Sequence, residues 1–142
     1  MKNILFLISL MLLAAGCVSQ NDGTGVVRPV SAAGIRGEEI VQAVIEADYS
    51  KFAKAAEELP DIPEKEKMEF QKSCRRLTES YGVPGSFRSL GELKTPLLIN
   101  QLYAVCFVRK NKEGKKIEHE QLFQVVFGQE NNKLKLLGMR FI

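Results

Sequence analysis

The sequence predicts an α+β domain with two N-terminal helices, or three if the chain breaks near Asp48, packed on one face of a four-stranded antiparallel meander sheet. Three observations lead to this expectation. Apolar residues recur at steps of three and four in the first half of the folded part, they alternate with polar residues in the second half, and short polar joints separate the alternating segments. Helices followed by a run of strands are typical of a domain whose helices cover one side of a sheet.

The helical part begins with residues 38–59, whose apolar stripe consists of Val41, Ile45, Tyr49, Phe52, Ala56 and Leu59. Asp48 and Ser50 suit a helix cap better than a helix interior, so we expect a kink or a restart there. Pro60 ends this segment because the residue before a proline avoids the helical conformation.

A further helix is predicted over residues 63–81. Asp61 suits its N-cap, Pro63 lies just inside, and Gly82 is a natural stop. The apolar stripe of this helix consists of Phe70, Cys74, Leu77 and Tyr81.

The strands are predicted at residues 86–94, 98–109, 117–127 and 133–142. Because the joints between them are short, strands adjacent in sequence should pair antiparallel. We expect the helices to cover the more aromatic face, made of Tyr103, Val105, Phe107, Phe123, Val125, Phe127, Leu137, Met139 and Phe141.

The opposite face is predicted to be apolar as well. Gln124 and Arg140 interrupt a set made of Leu102, Ala104, Cys106, Val108, Leu122, Val126, Leu134, Leu136 and Ile142. Such a face is too apolar for water. Either a partner covers it, or the chain's own N-terminal segment or a helix does.

The N-terminus has the composition of a secretory signal peptide. Lys2 supplies positive charge, residues 4–15 are apolar, and small residues lead into Cys17. The apolar run is short for a bilayer-spanning helix, which needs roughly 20 residues. Because residues 17–36 are rich in Ser, Gly, Asn, Asp and Pro, we expect a leader at 1–16, a flexible tether at 17–36 and one domain at 37–142.

The segment Leu13-Ala14-Ala15-Gly16-Cys17 resembles the lipobox of bacterial lipoproteins, although that family more often has Leu where this chain has Ala14. The resemblance implies cleavage between Gly16 and Cys17, and a diacylglycerol with further fatty acyl chains such as palmitate on the Cys17 thiol. Two or three acyl chains anchor a protein firmly. The alternative is an ordinary secreted protein in which Cys17 is incidental.

The same resemblance implies an extracytoplasmic location. Val18, and not Asp, follows the cysteine. By similarity to enterobacterial sorting, this implies the outer membrane, with the protein facing the periplasm, if the source is Gram-negative. In a bacterium with a single membrane, the anchor would lie in the outer face of the plasma membrane.

The element order over residues 37–142 is similar to that of the cystatin-like or nuclear-transport-factor-2-like superfamily. The similarity rests on the possible break at Asp48-Tyr49, on the helix end at Tyr81-Gly82 and on a last strand that finishes in Gly138-Met139-Arg140-Phe141. It implies a curved sheet around helices, often with a pocket and often in a dimer. It carries over no catalytic residues.

Cys74 and Cys106 remain once Cys17 is acylated, and an oxidising envelope permits a disulfide between them. Cys74 lies on the stripe that should face the sheet, whereas Cys106 alternates with Phe107 and so points to the opposite face. Two free thiols are therefore favoured, and a disulfide stays as the alternative.

Glu118-His119-Glu120 is the candidate metal or catalytic motif. On a strand the two carboxylates point to one face and the imidazole to the other, so three ligands do not converge. No nucleophile elbow of the form GxSxG accompanies His119. We therefore expect no metal site, no catalytic set and no cofactor.

Residues 109–116 carry five basic side chains around one turn. A solvated hairpin tip is the simplest interpretation, and contact with anionic lipid head groups or an acidic partner is the alternative. The net charge is +3, and +2 (19 basic minus 17 acidic) once Lys2 is removed. Because the excess of positive charge is small and the protein is expected to be exported, nucleic acid is not an expected partner.

Two functions follow as expectations. The first is a membrane-anchored, non-enzymatic module of the cell envelope, attached through Cys17, that binds a protein, a wall component or a small apolar ligand. Its apolar sheet face would meet an envelope protein or a second copy of the chain. The second is a small enzyme of the isomerase type that shares this superfamily fold, with Tyr81, Tyr103 and Arg140 lining a pocket.

Overall fold

The computed structural model describes residues 31–57 and 64–142. Their elements are α1 (Ala32–Ile45), α2 (Tyr49–Ala56), α3 (Glu64–Tyr81), β1 (Val83–Lys94), β2 (Leu98–Lys110), β3 (Lys116–Glu130) and β4 (Lys133–Phe141). The strands form one antiparallel sheet in the order β1-β2-β3-β4, so the predicted α+β meander is confirmed. The predicted signal peptide, Cys17 and the residues predicted to end or begin helices, Pro60, Asp61 and Pro63, lie outside the described residues.

The break at Asp48 is a true restart, so three helices precede the sheet. Ala47 adopts a left-handed conformation with φ of 52°, which ends the path of α1. Asp48 then caps α2, because its carboxylate accepts a hydrogen bond from the backbone N–H of Lys51 at 3.1 Å.

Helix α1 begins earlier than the sequence predicts. Ser31 is its N-cap, and the Ser31 hydroxyl accepts a hydrogen bond from the backbone N–H of Gly34 at 2.9 Å. Ala33 and Gly34 are buried. The expected tether boundary at residue 36 is therefore wrong. The composition resembles that of a loop, but the small residues let the first turn of α1 lie close to the sheet.

Helix α3 matches its prediction closely. Phe70 and Cys74 are buried, and Leu77 and Tyr81 pack against the core. Gly82 ends the helix with φ of 102°, at a point where a Cβ would lie only 2.6 Å from the carbonyl oxygen of Val108. Only glycine fits this position without strain.

Strands β3 and β4 are joined by a tighter turn than the sequence indicates. Asn131 and Asn132 both have positive φ, of 49° and 61°. This is typical of a two-residue type I′ hairpin, whose twist suits the flanking strands. β3 consequently continues through Gly128 to Glu130, which the sequence assigns to a joint.

A bulge in β4 changes which side chains face the helices. Val126 pairs with Gly138, whereas Phe127 pairs with Leu136, so Leu137 is an extra residue in β4. Leu134 and Leu136 therefore pack against the core, while Leu137 is 54% exposed on the opposite face. The predicted assignment of these three leucines was wrong because an inserted residue reverses the alternation beyond it.

The core lies between the helices and the more aromatic face of the sheet, as predicted. Tyr103, Val105, Phe107, Val125 and Phe127 are almost completely buried there. Helices α1 and α2 contribute a second layer: Ile40, Val41, Ala43, Phe52 and Ala53. Within the described ranges, no helix is long and apolar enough to cross a membrane.

Candidate interaction surface

The three residues proposed to line a pocket do not converge. Tyr81 packs its ring against Phe107 and Phe141, with centroids 5.5 Å and 6.0 Å away, on the helix side of the sheet. Tyr103 is buried on the same side. Arg140 pairs with Gln124 and lies on the opposite face. The predicted pocket is therefore wrong, because alternation with Phe141 sends Arg140 away from both tyrosines.

Tyr103 instead ties α1 to the sheet. Its hydroxyl donates a hydrogen bond to the carbonyl oxygen of Gly34 at 3.3 Å. Burial, and then the carboxylates of Glu38 and Glu92, raise the pKa of this hydroxyl well above its usual range. The phenol thus stays protonated at neutral pH and acts as a hydrogen-bond donor.

Arg36 is a structural residue that the sequence reasoning missed, because it was assigned to the tether. Its guanidinium donates to the carbonyl oxygens of Ala55 (3.0 Å) and Leu134 (2.8 Å), and it lies 5.4 Å from the centroid of the Phe127 ring. A salt bridge of 3.3 Å joins it to Glu57. Arg36 therefore connects α1, the end of α2 and β4.

Cys74 and Cys106 lie on opposite sides of the sheet and are both free. Cys74 is buried under α3, and burial raises the pKa of its thiol. Cys106 pairs with Ser86 and Glu120 on the face away from the helices and is half-buried. The alternative of a Cys74–Cys106 disulfide is not realised, because Cys106 alternates with Phe107 and so faces away from the helix that carries Cys74.

Glu118-His119-Glu120 shows the predicted alternation. The His119 ring stacks on Phe107, with centroids 6.0 Å apart, and lies 6.4 Å from the ring of Tyr81. Glu120 points to the other face, where it meets Arg88. No group of three or more His, Cys, Asp or Glu side chains in the described part of the chain is arranged to hold a metal ion.

A shallow groove of about 420 Å³ lies between α1, α2 and β1. Five of its seven lining residues are charged or polar, and the full set is Glu38, Glu39, Gln42, Lys51, Lys54, Ala55 and Phe87. None of the residues proposed for the pocket is among them. The sequence carries no signal for this groove, since its residues are those of ordinary solvated helix surfaces.

We call the side of the sheet away from the helices the outer face. A polar row crosses it: the Gln124 amide donates to Asn100 at 2.9 Å, and Arg140 donates to Gln124 at 2.9 Å. Arg88 and Glu120 form a two-point salt bridge at 2.9 Å and 3.2 Å, which lowers the pKa of the Glu120 carboxyl. These hydrogen bonds and this salt bridge link side chains on different strands of the outer face.

Apolar side chains fill the rest of the outer face. Leu93, Leu98, Leu122 and Leu137 are 63%, 38%, 43% and 54% exposed. Leu102, Cys106, Val108 and Val126 are half-buried between them. In the ranges that the structure describes, the helical side chains of the core pack against the other face only. The apolar outer face that the sequence predicts is thus present, with Leu137 in place of Leu134 and Leu136.

The basic segment forms the β2–β3 turn, which we call the lysine end (residues 109–116). The Asn111 side chain accepts hydrogen bonds from the backbone N–H groups of Glu113 and Lys115 at 3.0 Å and 2.8 Å, and Gly114 has φ of 79°. The turn is therefore well formed, and its basic side chains are all exposed.

No protein-family model and no curated protein sequence matches the chain.

Proposed function

We propose that the protein is an extracytoplasmic lipoprotein, held on a bacterial membrane by acyl chains on Cys17, and that its domain is a non-enzymatic module that binds an envelope protein. The observation that carries the binding role is the outer face. On it, Leu122 is exposed and Leu102, Cys106, Val108 and Val126 are half-buried, beside a row of polar side chains that hydrogen-bond to one another, while the helices cover the opposite face.

The chemistry of this face favours a protein partner. Contiguous exposed apolar surface is typical of interaction sites, and specific interfaces combine an apolar centre with polar groups. Asn100, Gln124 and Arg140 each already make at least one hydrogen bond within the face, which lowers the number of polar groups that a partner has to satisfy. The partner is either another envelope protein or a second copy of this chain.

The anchor is supported by the leader and by Leu13-Ala14-Ala15-Gly16-Cys17. We also propose that the domain belongs to the cystatin-like or nuclear-transport-factor-2-like group, on the strength of three helices followed by a four-stranded meander. Placement in the outer membrane, facing the periplasm, is the corresponding proposal for a Gram-negative source, since Val18 follows Cys17.

Metabolic labelling tests the anchor. Cells that express the full chain are grown with an alkyne-bearing fatty acid, and the Cys17→Ser variant is the matched control. We expect label on the wild-type protein in the membrane fraction, and an unlabelled variant in the soluble fraction. An unlabelled wild-type chain with its leader uncut would refute the anchor.

Site-specific photocrosslinking tests the binding role. A photoreactive amino acid is placed at Leu122 on the outer face, and at Lys72 on the exposed side of α3 as the control. We expect a discrete crosslinked species from position 122 only, whose mass distinguishes a second copy from a different protein. Absence of that species, or equal crosslinking from both positions, would contradict the proposed surface.

A further inference from the structure

The three most exposed leucines that the structure describes gather at one end of the sheet, together with the less exposed Leu98, and we call this the leucine end (Leu93, Leu97, Leu98 and Leu137). Leu97 and Leu93, at 73% and 63% exposed, have the highest exposure among the large apolar side chains that the structure describes. Leu137 lies over Gly128, which pairs with Leu98, so its side chain continues the same patch.

The β1–β2 turn that presents Leu97 is held by hydrogen bonds. The backbone N–H of Thr95 donates a hydrogen bond to the carbonyl oxygen of Leu98 at 2.8 Å. The Thr95 hydroxyl accepts one from the backbone N–H of Leu98 at 3.0 Å. The backbone N–H of Gln129 donates to the carbonyl oxygen of Leu97 at 3.1 Å. The exposed Leu97 therefore lies in a turn that hydrogen bonds hold in place and connect to β3.

The first helix also begins at the leucine end. The Ser31 hydroxyl donates a hydrogen bond to the carboxylate of Glu92. Glu92 pairs with Gln101, which lies only three residues after the start of β2. Cys17 and Ser31 are fourteen positions apart (31 − 17), which is at most about 50 Å of extended chain. Ser31, the first residue that the structure describes on the side of Cys17, thus lies at the same end as the exposed leucines.

We propose that the leucine end inserts its exposed side chains into the membrane leaflet that holds the acyl chains of Cys17. The proposal rests on the lipid anchor proposed above. Because the anchor keeps the domain beside the bilayer, the insertion is an intramolecular event, and a contact too weak to bind from solution becomes populated. Leu93 and Leu97 lose water contact on insertion, which is the main favourable term.

Lysines outnumber carboxylates beside the leucine end, since Lys94, Lys133 and Lys135 are exposed there with Glu92 and Glu130, and this excess suits a membrane with anionic lipids. Lys133 and Lys135 are exposed on β4, and Lys135 pairs with Gly128 in the row that holds Leu98. Lysines beside an inserted apolar group can extend to the lipid phosphates while their stems stay apolar. Each such lysine is attracted to an anionic membrane surface.

The lysine end is the competing candidate, and its composition disfavours it. Gln101 and Lys110 are nine positions apart in β2, which is about 30 Å along the strand. The chain from Cys17 would use more than half of its reach to bring this turn to the bilayer, and residues 109–116 contain no apolar side chain to insert. With the leucine end inserted, the sheet stands away from the membrane and Leu122 remains open to a partner.

Tryptophan fluorescence tests the proposal, since the chain contains no Trp. Leu97→Trp is compared with Lys112→Trp at the lysine end, each in the acylated full chain reconstituted into vesicles of phosphatidylethanolamine and phosphatidylglycerol. We expect a shift to shorter wavelength and quenching by brominated acyl chains for Leu97→Trp, and neither effect for Lys112→Trp. An unquenched, water-like emission from Leu97→Trp, or quenching of Lys112→Trp instead, would overturn the proposal.

Fatty acid labelling of the same preparations separates the two proposals. A labelled chain whose Leu97→Trp emission stays water-like disproves the insertion and leaves the anchor standing. An unlabelled chain disproves the anchor, and the insertion proposed with it. The double variant Leu93→Glu/Leu97→Glu supplies a second reading, because it should stay labelled and folded while a reporter at Leu98→Trp loses its lipid quenching.

Discussion

Gly37 and Tyr103 set the distance between α1 and the sheet. Tyr103 is fully buried, and a Cβ on Gly37 would lie 2.1 Å from its hydroxyl oxygen and 3.1 Å from the adjacent ring carbon. The Tyr103 ring has little freedom to move aside, because it also meets the Phe87 ring edge-on at 5.9 Å. Glycine in a helix interior is unfavourable, so its presence here reflects the close approach of the helix to the sheet.

We predict that Gly37→Ala destabilises the protein. Alanine would favour the helix by about 1 kcal/mol, but overpacking against a fixed ring costs about 1–3 kcal/mol. The net loss in the free energy of unfolding, measured by urea denaturation, should lie between zero and about 2 kcal/mol, and nearer the upper value because the contact is so short. The control is the same change in a Tyr103→Phe background, where the closest atom is gone and the loss should fall by at least half. Equal losses in both backgrounds would show that the hydroxyl contact is not the cause.

At the scale of elements, the sequence predicts those whose signal is local. Helix α3 has a regular stripe and a glycine stop, and β2 alternates without interruption, so both lie within a residue or two of their predicted bounds. The start of α1 was missed because Ser31-Ala32-Ala33-Gly34 has the composition of a loop and becomes helical through tertiary packing. The β4 bulge was missed because its register depends on the partner strand.

The N-cap of α1 gives a prediction at this scale. Ser31→Ala removes the acceptor for the Gly34 N–H and the contact with Glu92. We expect a loss of about 1 kcal/mol in the free energy of unfolding. Ser50→Ala, at an exposed position in the first turn of α2, should change the unfolding free energy by no more than about 0.5 kcal/mol. If the two variants behave alike in urea denaturation, Ser31 belongs to the tether and not to the helix.

At the scale of the whole molecule, the sheet separates a helix-covered face from an open one. Alternation along β2 and β3 was enough to predict that both faces are apolar and that Cys106 lies on the outer one. The same rule places Arg140 on the outer face, so its assignment to a pocket with Tyr81 and Tyr103 failed on geometry. The leucine end was not predicted, since it depends on a bulge, on a turn and on where α1 begins.

Thiol labelling reports this two-sided arrangement, because each face carries one cysteine. In a Cys17→Ser background, we expect a maleimide at neutral pH to modify Cys106 on the outer face. Cys74 is covered by α3 and its pKa is raised by burial, so it should react slower by about tenfold or more. Mass spectrometry over time should show one modification in the folded protein and two in urea, with Cys106→Ser removing the fast one. Comparable rates for the two thiols in the folded protein would mean that α3 does not cover its face of the sheet.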